Sequence, residues 1–357
     1  MMCLLYPLMV LCIVATGAAP LKDKNQGTFQ EIVIDPRFLS NFKSTAREGL
    51  ASFSQYFYLQ LANRTHSSMV FSPLALHSAW TLLYLGATPN SETAQDMDTT
   101  PWRQLTNSQV LKAGYKYLLS TYKEETNFQY GNSFWVEEGF RVKESFSKTA
   151  QDVFNSEVIT IDFERSESVD HANQFISRQT GGNIEDIVED FPTESNLFLA
   201  SVISFKEGFM MPFNTKDPET KSQLKGLFQT PDGDKVVNMM EQRSPFIGYE
   251  EINVRHLSYE VLTIPYKNGI FELRIILPKD NNEMERIESM MKHSNDRDLA
   301  PDDPYYFNMF SMKSVSDIVD PRSIDDDLVL LKMPTFNIRH DIDAKSIFQQ
   351  LGANKVN

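Results

Sequence analysis

Residues 197–205 read LFLASVISF, apolar at almost every position. Such a stretch has no polar face to turn to water, so it suits a strand buried on both faces. The rest of the chain must then supply cover above and below it. Helical periodicity crowds the first half of the sequence and strand periodicity the second, which makes the expected class α+β with mixed sheets. With 357 residues and 41% hydrophobic content, a large core is feasible, because a globular chain of this size buries roughly three-quarters of its unfolded surface.

The clearest helix lies in SSMVFSPLALHSAWTLLYLGA. Met69 to Phe71 are strand-like, Ser72 is a natural N-cap, Pro73 suits the first helical position and Gly86 suits the stop. Before it, Leu50, Phe53, Phe57 and Leu61 share one helical face in a pattern that starts at Ser44. KESFSKTAQDVF and SESVDHANQFISRQ read as helices, the second broken at Gly181 and Gly182. GNSFWVEEGFRV and SEVITIDF read as strands, and Asn268-Gly269 is the strongest hairpin signal in the chain. FKEGFMMPF reads as core or sheet packing. Residues 292–327 are polar and proline-bearing and read as an extended surface loop. Finally, Val329, Leu331, Met333 and Phe336 nearly alternate as in a strand, and Ile342, Ile347, Phe348 and Leu351 follow at helical spacing up to a stop at Gly352. No repeat or linker divides the chain, so residues 44–357 are expected to form one domain.

Residues 1–18 hold an apolar run closed by small residues, with Ala15-x-Gly17 or Thr16-x-Ala18 fitting a signal-peptidase site. The run is short for a membrane span of about 20 apolar residues, so the expectation is a secreted protein with no membrane association. Residues 19–43 then form a polar N-terminal extension. Both cysteines, Cys3 and Cys12, lie in the leader, so the chain after processing has no disulfide and no thiolate chemistry. Asn63 begins the sequon NRT, a glycan acceptor between a helix and a strand-like stretch.

The chain carries 48 acidic against 34 basic residues, a formal charge of −14, and no dense Lys/Arg stripe. Nucleic acid is therefore not an expected partner. No G-x-G-x-x-G, G-x-x-x-x-G-K-[ST], H-E-x-x-H or G-x-S-x-G occurs, so dinucleotide, P-loop, zincin and hydrolase readings lack support. His66, His77, His171, His256, His293 and His340 are scattered with no two at metal-ligand spacing. Asp325, Asp326 and Asp327 lack the spacing and glycine of a calcium loop. The expectation is no cofactor, no metal and no catalytic residue, in a monomer.

The ordered set of segments resembles the serpin family from about Ser44 to the last residue. SSMVFSPLALHSAWTLLYLGATPNSETAQDM resembles its N-x-V-x-S-P strand and helix. YGNSFWV resembles its A-N-x-hydrophobic strand, and HANQFISRQTGGNI its helix end, through Asn173, Thr180, Gly182 and Ile184. LASVISFKEGFMMPF resembles a further strand through Phe205, Lys206, Pro212 and Phe213, and VVNMM, LTIPY, RIILP and LLKMPTFNI follow in the family's order. The resemblance implies one domain of helices and three β-sheets, and serine-type endopeptidase inhibition as the family role. In inhibitory members the target protease cleaves a reactive loop, which then inserts as a strand into the main sheet.

After the helix ending at Leu351 the family pattern continues into a main-sheet strand, a hinge, the reactive loop and two further strands. The expectation is a chain incomplete at its C-terminus, with no reactive bond of its own. Around the family's sheet-opening region, Ser72 and Pro73 keep the pattern, whereas Ala75 stands for a serine and Ser201 for an asparagine. At the upper end of the strand Lys206 is followed by glutamate, and Phe209 replaces a tryptophan. Two readings follow: a secreted, non-inhibitory relative that binds an extended peptide or partner strand, or an inhibitor of an extracellular serine protease whose gene model is incomplete. An enzyme with an unrecognised site is the remaining class, for which no nucleophile and base pair can be named.

Overall fold

A computed structural model of the chain describes residues 11–15, 36–64, 68–98, 100, 108–125, 128–191, 197–230, 233–254, 257–269, 271–279, 283–296, 329–338, 340, 342 and 344–351. The helices are α1 (Pro36–Ala62), α2 (Pro73–Gly86), α3 (Glu92–Asp98), α4 (Ser108–Glu125), α5 (Glu144–Phe154), α6 (Ser166–Gln179), α7 (Glu283–Asp296) and α8 (Ala344–Gln350). The strands are β1 (Leu11–Ala15), β2 (Phe128–Glu137), β3 (Ser156–Ile161), β4 (Leu197–Phe205), β5 (Lys225–Thr230), β6 (Gly233–Ser244), β7 (Gly248–Val254), β8 (Leu257–Pro265), β9 (Phe271–Pro278) and β10 (Val329–Pro334). They form three sheets, ordered β1-β9-β8-β7, β10-β6-β5 and β3-β2-β4. The third is mixed, since β2 runs parallel to β3 and antiparallel to β4.

The chain divides into two compact units. One gathers residues 25–57, 72–206 and 343–357; the other gathers 1–24, 58–71 and 207–342. Each is assembled from segments distant in sequence, so no single cut separates them.

In the first unit the β3-β2-β4 sheet carries a core on each face, but the run at 197–205, expected to be buried throughout, is buried only at Ala200 and Val202 and exposed at Leu197. Phe134 points to a core of Leu82, Tyr115, Leu119, Ala150 and Phe154, with Leu199 against it. The next residue, Trp135, points to the other face and joins Phe163, Ala172, Phe175, Ile176, Ala200 and Val202. The motif after α6 has a plain physical role. Asn173 substitutes for a backbone partner, donating from Nδ2 to the Val188 carbonyl at 2.8 Å and accepting the Val188 N–H at 2.9 Å. Thr180 accepts the Ile184 N–H at 3.2 Å, and Gly181 and Gly182 take φ of 60° and 79°, a region that favours glycine. α8 docks through Phe348, whose ring stacks on Trp80 at 4.5 Å and lies within 6.1 Å of Phe53 and 5.8 Å of Phe57.

In the second unit, Tyr58, Leu59, Tyr259, Val261, Ile276, Met284, Ile287 and Met291 form the core between sheet and α7. The Tyr58 hydroxyl donates to Glu288 at 2.7 Å. β8 and β9 form the expected hairpin, with Gly269 at φ 68° and the Phe271 N–H donating to Asn268 Oδ1 at 3.0 Å.

Five readings need adjustment. α1 begins at Pro36 rather than Ser44, a start favoured by the fixed φ of proline at the first helical position. Met69 to Phe71 join no ladder among the described residues; Met69 and Phe71 instead pack on the Tyr58 core, with Val70 between them exposed, so alternation reported burial, not pairing. Gly86 does end α2, but its φ is not positive. Its small size matters instead, because a Cβ there would lie 2.8 Å from Phe146 Cε2 of α5. In FKEGFMMPF the aromatic Phe209 is packed, yet Met210 and Met211 are exposed. Of residues 292–327, read as a surface loop, 292–296 belong to α7, and the rest, with Asp325 to Asp327, lie outside the described residues, as do His66, His256 and Gly352.

Gly86→Ala is expected to cost about 1–3 kcal/mol through overpacking against Phe146. Gly49→Ala, in α1 with nothing within 4 Å of the added Cβ, should gain about 0.5–1 kcal/mol from helix propensity. Urea midpoints of the two variants should therefore move in opposite directions, and a common direction would contradict the packing described for Gly86.

Candidate functional site

β4 pairs with β2 from Phe128↔Phe205 to Val136↔Leu197. Among the described residues no strand lies along its other side. Below this edge strand sits the N-terminus of α2. Ser72 caps it, with φ −107° and ψ 104°, accepting the Ala75 N–H at 3.3 Å. The Ala75 carbonyl in turn accepts two hydroxyls, Ser78 Oγ at 2.8 Å and Ser201 Oγ of β4 at 3.1 Å. Three of the four residues named for the sheet-opening region, Ser72, Ala75 and Ser201, thus meet around the main chain of Ala75. The fourth, Pro73, occupies the first helical position and fixes the turn. Ala75 lacks the hydroxyl of the family pattern, but its main chain anchors the cluster.

The larger part of the cluster was not read from the sequence. His77, Ser78 and Thr81 are buried on α2, and Tyr115 of α4 and Asn132 of β2 are buried against them. Thr81 Oγ1 donates to the His77 carbonyl at 2.7 Å, and His77 Nδ1 bonds the Tyr115 hydroxyl. Tyr115 also meets Thr81, while Tyr130 bonds both Ser78 and Asn132. With the Thr81 and Ser78 protons committed to α2 carbonyls, each tyrosine gives its own proton to the neighbouring hydroxyl. Tyr115 then takes a proton from His77 Nδ1, and Tyr130 takes one from Asn132 Nδ2. That count places the histidine proton on Nδ1 and leaves two buried acceptors, His77 Nε2 and Asn132 Oδ1, with no donor. The signal in the sequence was His77, Ser78 and Thr81 spaced i, i+1 and i+4, with Tyr130 and Asn132 on one side of a strand; which element they would meet was not encoded locally.

Burial holds the cluster neutral. It lowers the His77 pKa to about 3 and raises the Tyr115 and Tyr130 hydroxyls above their ordinary range. The arrangement can orient strands and helices but offers no charged group for acid/base chemistry.

The two residues named for the upper strand behave differently. Lys206 is exposed just beyond β4. Phe209 belongs to the other unit, where its ring stacks on Tyr266 at 4.6 Å and meets Phe213 edge-on at 5.2 Å. Glu207 accepts the Asn268 side-chain amide at 3.3 Å. Asn63 is exposed in the turn after α1. Among the described residues no cluster of three or more His, Cys, Asp or Glu could hold a metal ion, and no helix is long and apolar enough to cross a membrane.

The neutral His77 gives the fold an acid limit. The unfolded chain takes up the proton below about pH 6.5 and the folded chain only near 3, so stability falls as pH drops through that window. Between pH 7 and pH 4.5 the loss from this residue should be about 2–3 kcal/mol. His77→Gln should flatten that part of the urea-midpoint profile; an unchanged profile would show that the imidazole is not buried neutral.

A model of the family described as "Serpin (serine protease inhibitor)" matches residues 48–356. A serpin-like protein of Methanosarcina acetivorans is 26% identical over 296 residues, covering 80% of this chain and 66% of its own length. A serine protease inhibitor of Rattus norvegicus is 25% identical over 315 residues, covering 85% of this chain and 67% of its own length. The chain thus spans about two thirds of these curated relatives. Among solved structures, cleaved Serpin 42Da superposes with a TM-score of 0.69 at 22% identity, covering 88% of this chain and 77% of that one, which shows the fold. The family model covers most of the chain, and the chain belongs to the serpin family.

Proposed function

We propose that this chain is a secreted, non-inhibitory serpin that works by binding rather than catalysis, taking an extended peptide along the edge of β4. The observation that carries this reading is β4 itself. Its faces are packed, its ladder to β2 is complete, and among the described residues no strand lies along its other side. An edge of this kind supports recognition through main-chain hydrogen bonds, with the family precedent of strand addition. The cluster below supports it too. Ser201 tied to Ala75, and Asn132 linked through Tyr130 to Ser78, hold β4 and β2 firmly on α2, so the receiving edge is preorganised. The departures at Ala75, Ser201, Glu207 and Phe209 favour a role other than suicide inhibition. The leader at residues 1–18 supports secretion into the extracellular space, and the exposed Asn63 supports a glycan.

The second reading is inhibition of an extracellular serine protease, favoured by the description of the family model and by the likeness to the rat inhibitor. Incubation of the secreted protein with trypsin, chymotrypsin and elastase distinguishes them. The expected result is no detergent-stable adduct with any of the three. Hydrogen exchange across 197–205 should slow when an alternating Thr-Val decapeptide is added. A covalent adduct would establish the second reading; no response of 197–205 to the peptide would remove the first.

A further inference from the structure

The two most exposed large apolar side chains among the described residues are Leu227 and Val236, at 66% and 67% exposure. They stand directly opposite one another, β5 against β6, in a register that runs unbroken from Lys225↔Asn238 to Thr230↔Gly233. In an antiparallel ladder opposed residues share a face, and alternate residues along each strand stay on it. Lys225 and Leu227 of β5 therefore line one outer face with Asp234, Val236 and Asn238 of β6, and all five are exposed.

The inner face fixes this arrangement. Phe228, Val237 and Met239 point the other way and are partly or fully buried. Gly226 makes room for Met239, since a Cβ there would lie 3.0 Å from Met239 Cγ. A slip of one residue would turn Met239 outward and Leu227 inward, so the apolar pair is held in water by the register itself.

The charges around the pair are arranged by the same register. Lys225 lies two residues before Leu227 on β5, and Asp234 two residues before Val236 on β6. Because the strands run in opposite directions, the two charges fall at diagonal corners of the face, each about 7 Å along the strand from the apolar row. In a chain of formal charge −14, this face carries one charge of each sign and does not repel a copy of itself.

Such a face is complementary to itself. A two-fold axis laid along the Leu227–Val236 row sets Leu227 on Leu227 of a second copy and Val236 on Val236. Crossing the strands by the roughly 30° usual for stacked sheets then carries Lys225 of each copy towards Asp234 of the other.

We propose that the outer face of β5 and β6 is an interface between two copies of this chain, a two-fold dimer with Leu227 and Val236 at its centre and two Lys225–Asp234 pairs at its rim. An apolar centre of two side chains per copy is at the small end of protein interfaces, so the dimer is reversible, with a dissociation constant of about 10–100 μM. The monomer expected from the sequence is then the dilute form. Peptide binding at β4 uses a different sheet and is independent of this association.

Sedimentation equilibrium of the full chain at low salt, from about 1 to 300 μM, reads the association constant. Dimer should accumulate across that range, and Leu227→Ser should weaken it at least tenfold. Lys225→Asp and Asp234→Lys each set like charges against one another at both rims and should each weaken it about tenfold, whereas the double variant, which exchanges the two signs, should return it to within about threefold of the parent. All three positions are exposed, so thermal midpoints measured on dilute protein should stay with the parent. The symmetry gives a second readout. In a chain carrying Cys3→Ser and Cys12→Ser, Leu227→Cys should form a disulfide-linked dimer on air oxidation, and Lys225→Cys should not, because the two-fold axis holds those positions too far apart. A dimer indifferent to Leu227→Ser, or a charge exchange that fails to restore what the single variants lose, would overturn the proposal. So would a parent chain that stays monomeric throughout the range, and a fluorophore at Leu227→Cys shielded from iodide in that monomer would assign the face to another part of the chain.

Discussion

The dryness of β2 constrains everything around it. It has strands hydrogen-bonded on both edges and cores against both faces, and its residues 131–136 are all buried. Two of them, Asn132 and Ser133, are polar, and a buried polar group without a partner costs about 1–3 kcal/mol. Ser133 is answered by Trp135, whose indole donates to its Oγ at 2.6 Å. The amide N–H of Asn132 is answered by Tyr130, and through Tyr130 the demand passes to Ser78 and so to α2, while Asn132 Oδ1 stays without a donor. The polar cluster beneath β4 is the consequence of placing an asparagine in the middle of a dry sheet. The same dryness explains Gly131, where a Cβ would lie 2.7 Å from the Gln179 side chain of α6. A larger residue there would have to displace the Gln179 side chain.

The cluster also shows how a motif can lose side chains and keep its role. Ala75 has no hydroxyl, but its N–H is taken by Ser72 and its carbonyl by Ser78 and Ser201. The main chain cannot be mutated away, so a serine at this position is dispensable once neighbours supply hydroxyls. Polar networks are unforgiving when partly satisfied. This one closes on two backbone carbonyls of a helix N-terminal half, which fixes the direction of every proton in it except at His77 Nε2 and Asn132 Oδ1.

What the sequence made legible follows a single rule: periodicity reports burial, and local chemistry reports turns and caps. Ser72 as N-cap, the break at Gly181 and Gly182, the hairpin at Asn268-Gly269 and the strand at 197–205 all depend on residues within a few positions of one another. Pairing depends on what comes to lie alongside, and there the reading ran out. Met69 to Phe71 alternate like a strand but pair with none among the described residues. Residues 11–15 look like a leader and pair with β9, because leader and strand are both short apolar runs. His77 looked like a lone histidine, since its partner Tyr115 lies on another helix. Phe209 was grouped with the upper strand on resemblance, whereas its contacts are with Tyr266 and Phe213.

Two strands, β4 at the end of its sheet and β9 inside its own, differ in how much they demand of a neighbour. β4 is only partly buried along its length, with Leu197 exposed by 37% and residues Ile203 to Phe205 intermediate. Water can reach such an edge, so its main-chain groups can be satisfied without a protein partner. β9 has no such recourse, because its ladder groups and its Glu272–Arg274 ion pair sit where exposure never exceeds 6% over Phe271–Ile276. An edge that water already satisfies gives an incoming peptide only the difference between two sets of hydrogen bonds, about 0.5–1.5 kcal/mol each. An edge that must stay dry adds the apolar area covered, at about 25 cal/mol per Å². Of the two, β9 is therefore the position at which a five-residue strand is held more tightly, and β4 the one at which a strand can come and go.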